Sequence, residues 1–298
     1  MKRHNPPLIV IVGPTASGKS ALAVSLARRI GGEVVSADSR QVYKGLDLGS
    51  GKITKREMKG IPHHLLDVAD PRRIFSAARF RTLGARALRS IARRGKTPIV
   101  CGGTGFYIRA LVDGIALPEV KPNRALRKKL SALQTERLFA LLKRKDPARA
   151  ATIDAKNPHR LIRALEIAEA LGKVPTHPPR PVPYETLFIG VRKEKKELER
   201  AIRRRFVARM KKGMLAEVKK LHAGGLSWER LESFGLEYRA LALFIQKKIT
   251  KEEMEVSVVR ESVAYAKRQM TWFSHDPRVH WIRKPVEAIA LIKNFLKK

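Results

Sequence analysis

The chain has 298 residues, 44% of them hydrophobic, enough for one large domain or two modest ones with a sizeable core, which excludes a disordered protein. Lysine and arginine outnumber aspartate and glutamate by 63 to 27, and the resulting formal charge of +36 exceeds what solubility requires and points to a polyanionic partner. A single cysteine, Cys101, excludes an internal disulfide and a cysteine-built zinc site.

In chain order, residues 9–12 (IVIV) form a short apolar run that leads into Gly13-Pro14-Thr15-Ala16-Ser17-Gly18-Lys19-Ser20, after which apolar residues return at helical spacing. This is a strand, a glycine loop and a helix start. Glycines let backbone N–H groups turn inward around an anion, and the helix N-terminus adds positive potential. Lys19 supplies a point charge to a terminal phosphate, and the Ser20 hydroxyl is placed to ligate Mg2+. The spacing identifies a phosphate cradle but leaves its ligand open, because kinases, NTPases and diphosphate-using transferases share it.

Residues 33–36 (EVVS) read as a buried strand after the Gly31-Gly32 helix stop, followed by Ala37-Asp38-Ser39-Arg40-Gln41. Ligands sit at the carboxyl ends of the strands in an open parallel sheet, so this carboxylate and arginine share a rim with the glycine loop. From spacing alone Asp38 is a Mg2+ ligand, a general base or a helix cap. The segment HHLLDVAD offers at Asp67 only a weak version of a metal-binding NTPase acid, which disfavours an ordinary ATPase; His63, His64 and the other histidines lack metal-ligand spacing and read as turn or surface residues.

Residues 76–94 carry Ala77, Phe80, Leu83, Ala87, Leu88 and Ile91 at helical spacing, and residues 98–101 (PIVC) form a strand ending in Gly102-Gly103-Thr104-Gly105. From 119 to 183 the pattern turns helical only, closing in the proline-rich KVPTHPPRPVPYE, which reads as a stiff linker. Residues 187–191 (LFIGV) then return to the sheet, and two helical stretches follow, 195–221 and 251–273. The expected architecture is α/β: a P-loop NTPase-like open parallel sheet core flanked by helices (1–118 and 184–298), with an all-helical insertion (119–183). No run approaches the roughly 18 apolar residues of a membrane-spanning helix. The first residues lack a signal-like segment, so a soluble, cytoplasmic protein is expected.

Taken together these residues resemble the tRNA dimethylallyltransferases, also called tRNA isopentenyltransferases. The glycine loop, SADSRQVYKGLDLGSGK (36–52), HHLLDVADP (63–71), FSAARF (75–80), GGTGFYIRAL (102–111) and AKRQMTWF (266–273) follow in the family's order over nearly the whole chain. The resemblance implies that the cradle, residues Gly13 to Ser20, holds the diphosphate of dimethylallyl diphosphate with Mg2+ on Ser20. It implies as acceptor the N6 amine of the adenosine 3′ of the tRNA anticodon, position 37. It assigns Asp38 as the base, places Thr104 near the amine and diphosphate, gives Lys19 and Ser20 a catalytic part, and puts Ser39, Arg40 and Gln41 beside the target base, which must leave its stack.

In AKNPHRLIRALE, Asn157 reads as an N-cap with Pro158 at the first helical position, so Arg160 and Arg163 share a face while Leu161 and Leu165 are buried. By resemblance Arg127 and the segment His159, Arg160, Leu161, Ile162, Arg163 contact tRNA. The basic runs Arg203-Arg204-Arg205 and Lys211-Lys212, with Lys267 and Arg268, are further phosphate-contact candidates. One departure stands out: where many members have an arginine three residues before Gly-Tyr-Arg, this chain has Phe234, and Glu237 replaces that glycine. Arg109, Arg239 or Lys52 would then have to compensate. No C-terminal Cys/His zinc module is expected, and the family implies a monomer. A small-molecule kinase with Asp38 as base and a non-enzymatic RNA-binding NTPase switch are the rival readings, and the charge and the basic insertion argue against the kinase.

Overall fold

The computed structural model describes residues 5–115, 117–175 and 180–297. The chain divides into two compact units, Met1–Val112 with Val182–Lys298, and Asp113–Pro181.

In the first unit the strands are β1 (Pro7–Val12), β2 (Gly32–Ala37), β3 (His63–His64), β4 (Thr97–Gly102), β5 (Glu185–Val191) and β6 (Val279–Ile282). Among the described residues they form one sheet in the order β3-β2-β4-β1-β5-β6, with every pairing parallel. The central strands are apolar runs because both faces of a parallel sheet are covered by helices. Successive side chains alternate between those faces. Ile9 and Ile11, with Val34, Ile99, Leu187 and Ile189, pack toward α1 (Lys19–Ile30) and the C-terminal helix (Pro285–Leu296); Leu8, Val10 and Val12, with Val35, Val100 and Phe188, pack the opposite way.

In that opposite layer the first half of the chain places α3 (Ala77–Arg93) and α4 (Gly105–Val112), whereas α2 (Lys55–Met58) is a single turn that buries no residue and lies against α1. Ser76 caps α3 by accepting the Arg79 N–H, which fixes its start where the apolar periodicity begins. The histidine pair is not loose surface. His63 and His64 are β3, half-buried, with His64 Nε2 2.7 Å from Glu33 Oε2 and His63 Nδ1 2.8 Å from the Ile61 carbonyl oxygen. The short apolar signal of this edge strand is confined to flanking residues, which is why its sequence reads as a turn.

The second unit holds α5 (Arg124–Ser131), α6 (Thr135–Lys145), α7 (Pro147–Ala150) and α8 (Pro158–Leu171). They enclose a small core of Leu130, Leu138, Leu142, Leu161 and Leu165. Each fully buried leucine there contributes about 1.5–3 kcal/mol. Of the proline-rich linker, residues 176–179 lie outside the described residues; nearer its end, the Val182 N–H donates to the Val112 carbonyl at 3.1 Å.

The chain then continues through α9 (Lys195–Lys211), α10 (Met214–Ala223), α11 (Trp228–Ser233), α12 (Leu236–Ile245), α13 (Lys251–Ser274) and α14 (Pro285–Leu296). The stretch 195–221, expected as one helix, is two: Gly213 takes φ 94, a left-handed value that ends α9 and starts α10 in a new direction. Thr250 and Glu253 close a capping box at the start of α13. Strand β6 was not expected from its sequence, VHWI, which is too short and too mixed to stand out; it completes the sheet against β5.

Candidate active site

The glycine loop joins β1 to α1 as its spacing predicts. Gly18 adopts φ 95 and caps α1, a left-handed turn that a side chain would strain. Lys19 folds back over the loop, Nζ donating to the Pro14 carbonyl at 3.1 Å. Burial lowers the Lys19 pKa, and nearby Arg205 lowers it further, while Asp38 acts against both. Ser20 is exposed in the first turn of α1, and Ser17 is buried with no hydrogen-bond partner for its Oγ. Cys101 lies beneath, its Sγ donating to the Lys19 carbonyl at 3.6 Å, and burial raises the thiol to about 11, so it stays protonated and inert.

Asp38 stands at the end of β2. Its Oδ1 accepts from the N–H groups of Arg40, at 2.8 Å, and Gln41, at 3.3 Å, an Asx turn that holds residues 38–41 in one arc. A carboxylate has about four lone-pair sites, so Oδ2 keeps capacity for other work. The cap and the functional reading therefore coexist in one side chain. Thr104, at the end of β4, uses Oγ1 to accept the Ser39 N–H at 3.1 Å, and its own N–H donates to the Ala37 carbonyl at 3.2 Å. Gln41 Nε2 donates to the Gly51 carbonyl at 3.2 Å, which ties the arc to the loop before α2.

These residues surround a cavity of about 350 Å³ walled by Thr15, Lys19, Ser20, Asp38, Ser39, Arg40 and Gln41. Thr104 is set behind this wall through Ser39. A second, adjoining cavity of about 830 Å³ meets Ala16 and Gly18 and shares Lys19, Ser20, Gly51, Arg205 and Arg209 with the first.

Two contributions go beyond the roles read from the motifs. Helix α13 closes the site with Gln269, which accepts the Thr15 N–H on Oε1 at 2.8 Å and donates from Nε2 to the Gly103 carbonyl at 2.9 Å. A Cβ on Gly103 would overlap that amide, and one on Gly105 would overlap the Trp272 indole, so α13 rests directly on glycine backbone. On α9, Arg205 and Arg209 enter the cavity wall while Arg203 and Arg204 face outward. Burial, with Arg209 beside it, lowers the Arg205 pKa to about 10. Only their helical phase separates the inward pair from their neighbours in a run of similar charges.

Of the cations expected to compensate at Phe234, Lys52 is engaged elsewhere, 2.6 Å from Asp47 and 2.5 Å from Asp67. Asp67 is thereby a partner of Lys52. Arg109 is exposed on α4, and Arg239 is exposed at the cavity mouth. Phe234 itself is buried, tilted against Tyr43 with ring centroids 5.2 Å apart and capped by the Arg230 guanidinium at 4.5 Å. Arg268 lines the cavity, and Lys267 is exposed.

In the second unit, Asn157 caps α8 by accepting the Arg160 N–H at 3.1 Å. His159 and Arg160 are exposed, and Ile162 is half-buried. The shared face expected for Arg160 and Arg163 divides: Arg160 lies 3.7 Å from Asp154, whereas Arg163 turns inward to Glu166 and to the Val120 carbonyl at 3.0 Å. Arg127 forms a bidentate pair with the same Glu166, at 2.9 and 2.8 Å. Burial pushes the Glu166 carboxyl up, but the bonds from Arg127, Arg163 and the Asn123 N–H outweigh it and bring it to about 2. Leu161 is fully buried, so its side chain has no surface to offer a ligand.

The chain is similar to known proteins along most of its length. A family described as IPP transferase matches residues 41–276. The tRNA dimethylallyltransferase 1 of Pelobacter propionicus is 40% identical over 300 residues, covering 97% of this chain and 96% of that protein. The tRNA dimethylallyltransferase of Roseiflexus is 41% identical over 280 residues, 92% of each. Among solved structures, the full-length tRNA isopentenylpyrophosphate transferase of Bacillus halodurans is 36% identical with a TM-score of 0.73, covering 98% of this chain and 95% of that one. A eukaryotic dimethylallyltransferase acting on tRNA is 25% identical with a TM-score of 0.81, covering 98% and 80%.

Proposed function

The chain belongs to the IPP transferase family, with the family's P-loop NTPase-like fold, and from that premise we infer that it is a tRNA dimethylallyltransferase. It transfers a dimethylallyl group from dimethylallyl diphosphate to the N6 amine of adenosine 37 of tRNA and releases pyrophosphate. The observation that carries the reading is the convergence of the P-loop lysine, Lys19, and the Asp38 arc on one cavity, at the carboxyl ends of β1 and β2.

The bond made is N6 to the allylic C1, and the bond broken is C1 to the bridging diphosphate oxygen, whose electron pair leaves with pyrophosphate. An allylic centre tolerates partial cation character, so the protein's main task is to stabilise the departing anion. Lys19 and the loop N–H groups other than those of Thr15 and Ser17, which are paired within the protein, are suited to that. Adenine N6 is a weak nucleophile because its lone pair is delocalised into the ring, and it must lose a proton as the bond forms. Asp38 is our candidate for that proton, received on the oxygen left free by its Asx turn, with Thr104 holding the arc through Ser39.

Among the described residues no cluster of three acids, histidines or cysteines could cage a metal ion. Mg2+ needs no such cage, since it keeps waters and takes diphosphate oxygens with one or two protein ligands. Ser20, a hard oxygen donor, fits that role, and the ion would supply charge neutralisation on the diphosphate. Ser39, Arg40 and Gln41 are proposed to meet the target base, and Arg127 with residues 159–163 the anticodon stem-loop; exposed His159 and Arg160 carry this best, Leu161 only through its backbone. We further propose a cytoplasmic monomer. No helix among the described residues is long and apolar enough to cross a membrane.

The test is incubation of the protein with radiolabelled dimethylallyl diphosphate and an unmodified anticodon stem-loop, with Mg2+ or with EDTA, beside a matched ATP control. Label in the RNA that depends on Mg2+, with ATP untouched, is expected. ATP consumption without prenyl transfer would instead favour the kinase or NTPase readings.

A further inference from the structure

Arg205 and Arg209 stand one helical turn apart on α9 and enter the cavity beside the P-loop. Arg205 Nη1 is 3.4 Å from Thr15 Oγ1. Arg209 Nη1 is 3.3 Å from Oε1 of Glu237 on α12, and the two side chains are 13% and 16% exposed. In the loop before α2, Gly51 at φ +62 faces the guanidinium groups, and a Cβ there would overlap Nη2 of both arginines. The backbone is thus shaped to admit two adjacent cations that repel one another.

Such a pair needs an anion. Lys19 lines the same cavity, as do Arg40, Arg239 and Arg268, so six cations face it against the carboxylates Asp38, Glu237 and Glu261, with Glu57 acting on Arg205 from the adjoining cavity. Asp38 is already engaged by two backbone N–H groups. Glu237 offers one carboxylate at a distance longer than the roughly 2.7–2.9 Å of a tight charge-assisted pair. Burial raises the Glu237 pKa, against the pull of Arg209, so this acid is itself poorly solvated. An incoming diphosphate, with more charge and more acceptor oxygens, is the better partner for Arg209.

We propose that Arg209 is a diphosphate-binding residue, exchanging Glu237 for diphosphate oxygens when the cavity fills, while Glu237 serves as its counter-ion otherwise and competes with pyrophosphate after transfer. The inference deepens the function proposed above and rests on it for the identity of the ligand. It also assigns a cation to the cavity of a chain in which Phe234 is an apolar, buried residue.

The test uses the full chain and variants Arg209→Ala, Arg209→Lys, Glu237→Gln and the double variant. Binding of inorganic pyrophosphate is measured by calorimetry, and KM for dimethylallyl diphosphate and for tRNA by prenyl transfer. Arg209→Ala should weaken pyrophosphate and raise the diphosphate KM by roughly tenfold or more, with partial rescue by lysine and no change in the tRNA KM. Glu237→Gln, by removing the competitor, should tighten pyrophosphate severalfold. If these variants shift only the melting temperature and leave pyrophosphate affinity unchanged, the pair is a structural ion pair and the inference falls. A wild-type chain that transfers no prenyl group overturns the proposed function, and the pyrophosphate titration still decides Arg209.

Discussion

Gln269 and Thr15 lie 254 positions apart and are joined by one hydrogen bond, Thr15 N–H to Gln269 Oε1 at 2.8 Å. Through the second bond of the same amide, to Gly103, the C-terminal half of the chain holds both the P-loop and the loop after β4. Replacing Gln269 by alanine leaves a backbone donor and a backbone acceptor without these partners, at a cost of about 1–3 kcal/mol. The diphosphate KM should rise with it, because the loop's N–H groups lose their frame. Gln269→Glu keeps the acceptor but loses the donor, and should fall between. Chemical denaturation and steady-state kinetics check both. A Gln269→Ala protein with unaltered stability and kinetics would show that the P-loop needs no clamp.

Asp38 combines a turn-forming oxygen with one free for chemistry, and two substitutions separate them. Asp38→Asn retains Oδ1 as acceptor for Arg40 and Gln41 but has no basic carboxylate. It should lower kcat by about 10²–10⁴ while tRNA affinity stays close to wild type. Asp38→Ala loses the turn as well and should also disturb the contacts of Ser39 to Gln41. Weakened tRNA binding with unchanged turnover at saturation, in the asparagine variant, would make Asp38 a docking residue.

The insertion should be acid-sensitive. Glu166 is 1% exposed and titrates near 2 when folded, against an ordinary value of 4.5. A depressed carboxyl contributes stability above the unfolded pKa and loses it as pH falls through the folded one. The contribution is therefore present above about pH 4.5 and disappears toward pH 2. Glu166→Gln should flatten that limb and, by leaving Arg127 and Arg163 without their carboxylate, destabilise the unit at neutral pH by roughly 2–4 kcal/mol. Denaturation of the full chain, followed between pH 2 and pH 7 by a probe in the insertion, reads both effects; equal acid limbs in the two proteins would rule out Glu166 as their source.

Exposed Arg160 and buried Leu161 are neighbours with opposite duties. Arg160→Ala should weaken tRNA binding alike for different tRNA sequences and reduce the salt dependence of binding by about one unit of slope. Leu161→Ala should cost about 2–5 kcal/mol of stability in the insertion core instead. Binding titrations at several salt concentrations, with melting curves, distinguish the two. An unchanged salt slope in Arg160→Ala would remove that residue from the phosphate contacts.

Much of the chemistry was legible in local sequence. The P-loop depends on residues seven apart at most, and its strand–loop–helix context follows from apolar spacing on either side. Helix starts at Ser76, Asn157 and Thr250 were written in capping residues because a cap is a bond between near neighbours. Strands β1, β2, β4 and β5 were visible because burial on both faces demands unbroken apolar runs.

The tertiary structure decided what depends on distant partners. Strand order is one such property, since apolar runs specify burial but not which strand lies alongside, and the two edge strands β3 and β6 carry too little apolar sequence to announce themselves. Charge is another. The sequence by itself determined an excess of cations that requires a polyanion, but Arg203, Arg204 and Arg205 are chemically identical until helix phase and packing turn one of them inward beside Arg209 and Glu237. In the same way Arg127 and Arg163, equivalent to Arg160 on paper, became partners of a buried acid. A side chain's charge is a property of its residue; whether that charge meets solvent, a carboxylate or a ligand is a property of the fold, because only the fold sets the distance and the water between them.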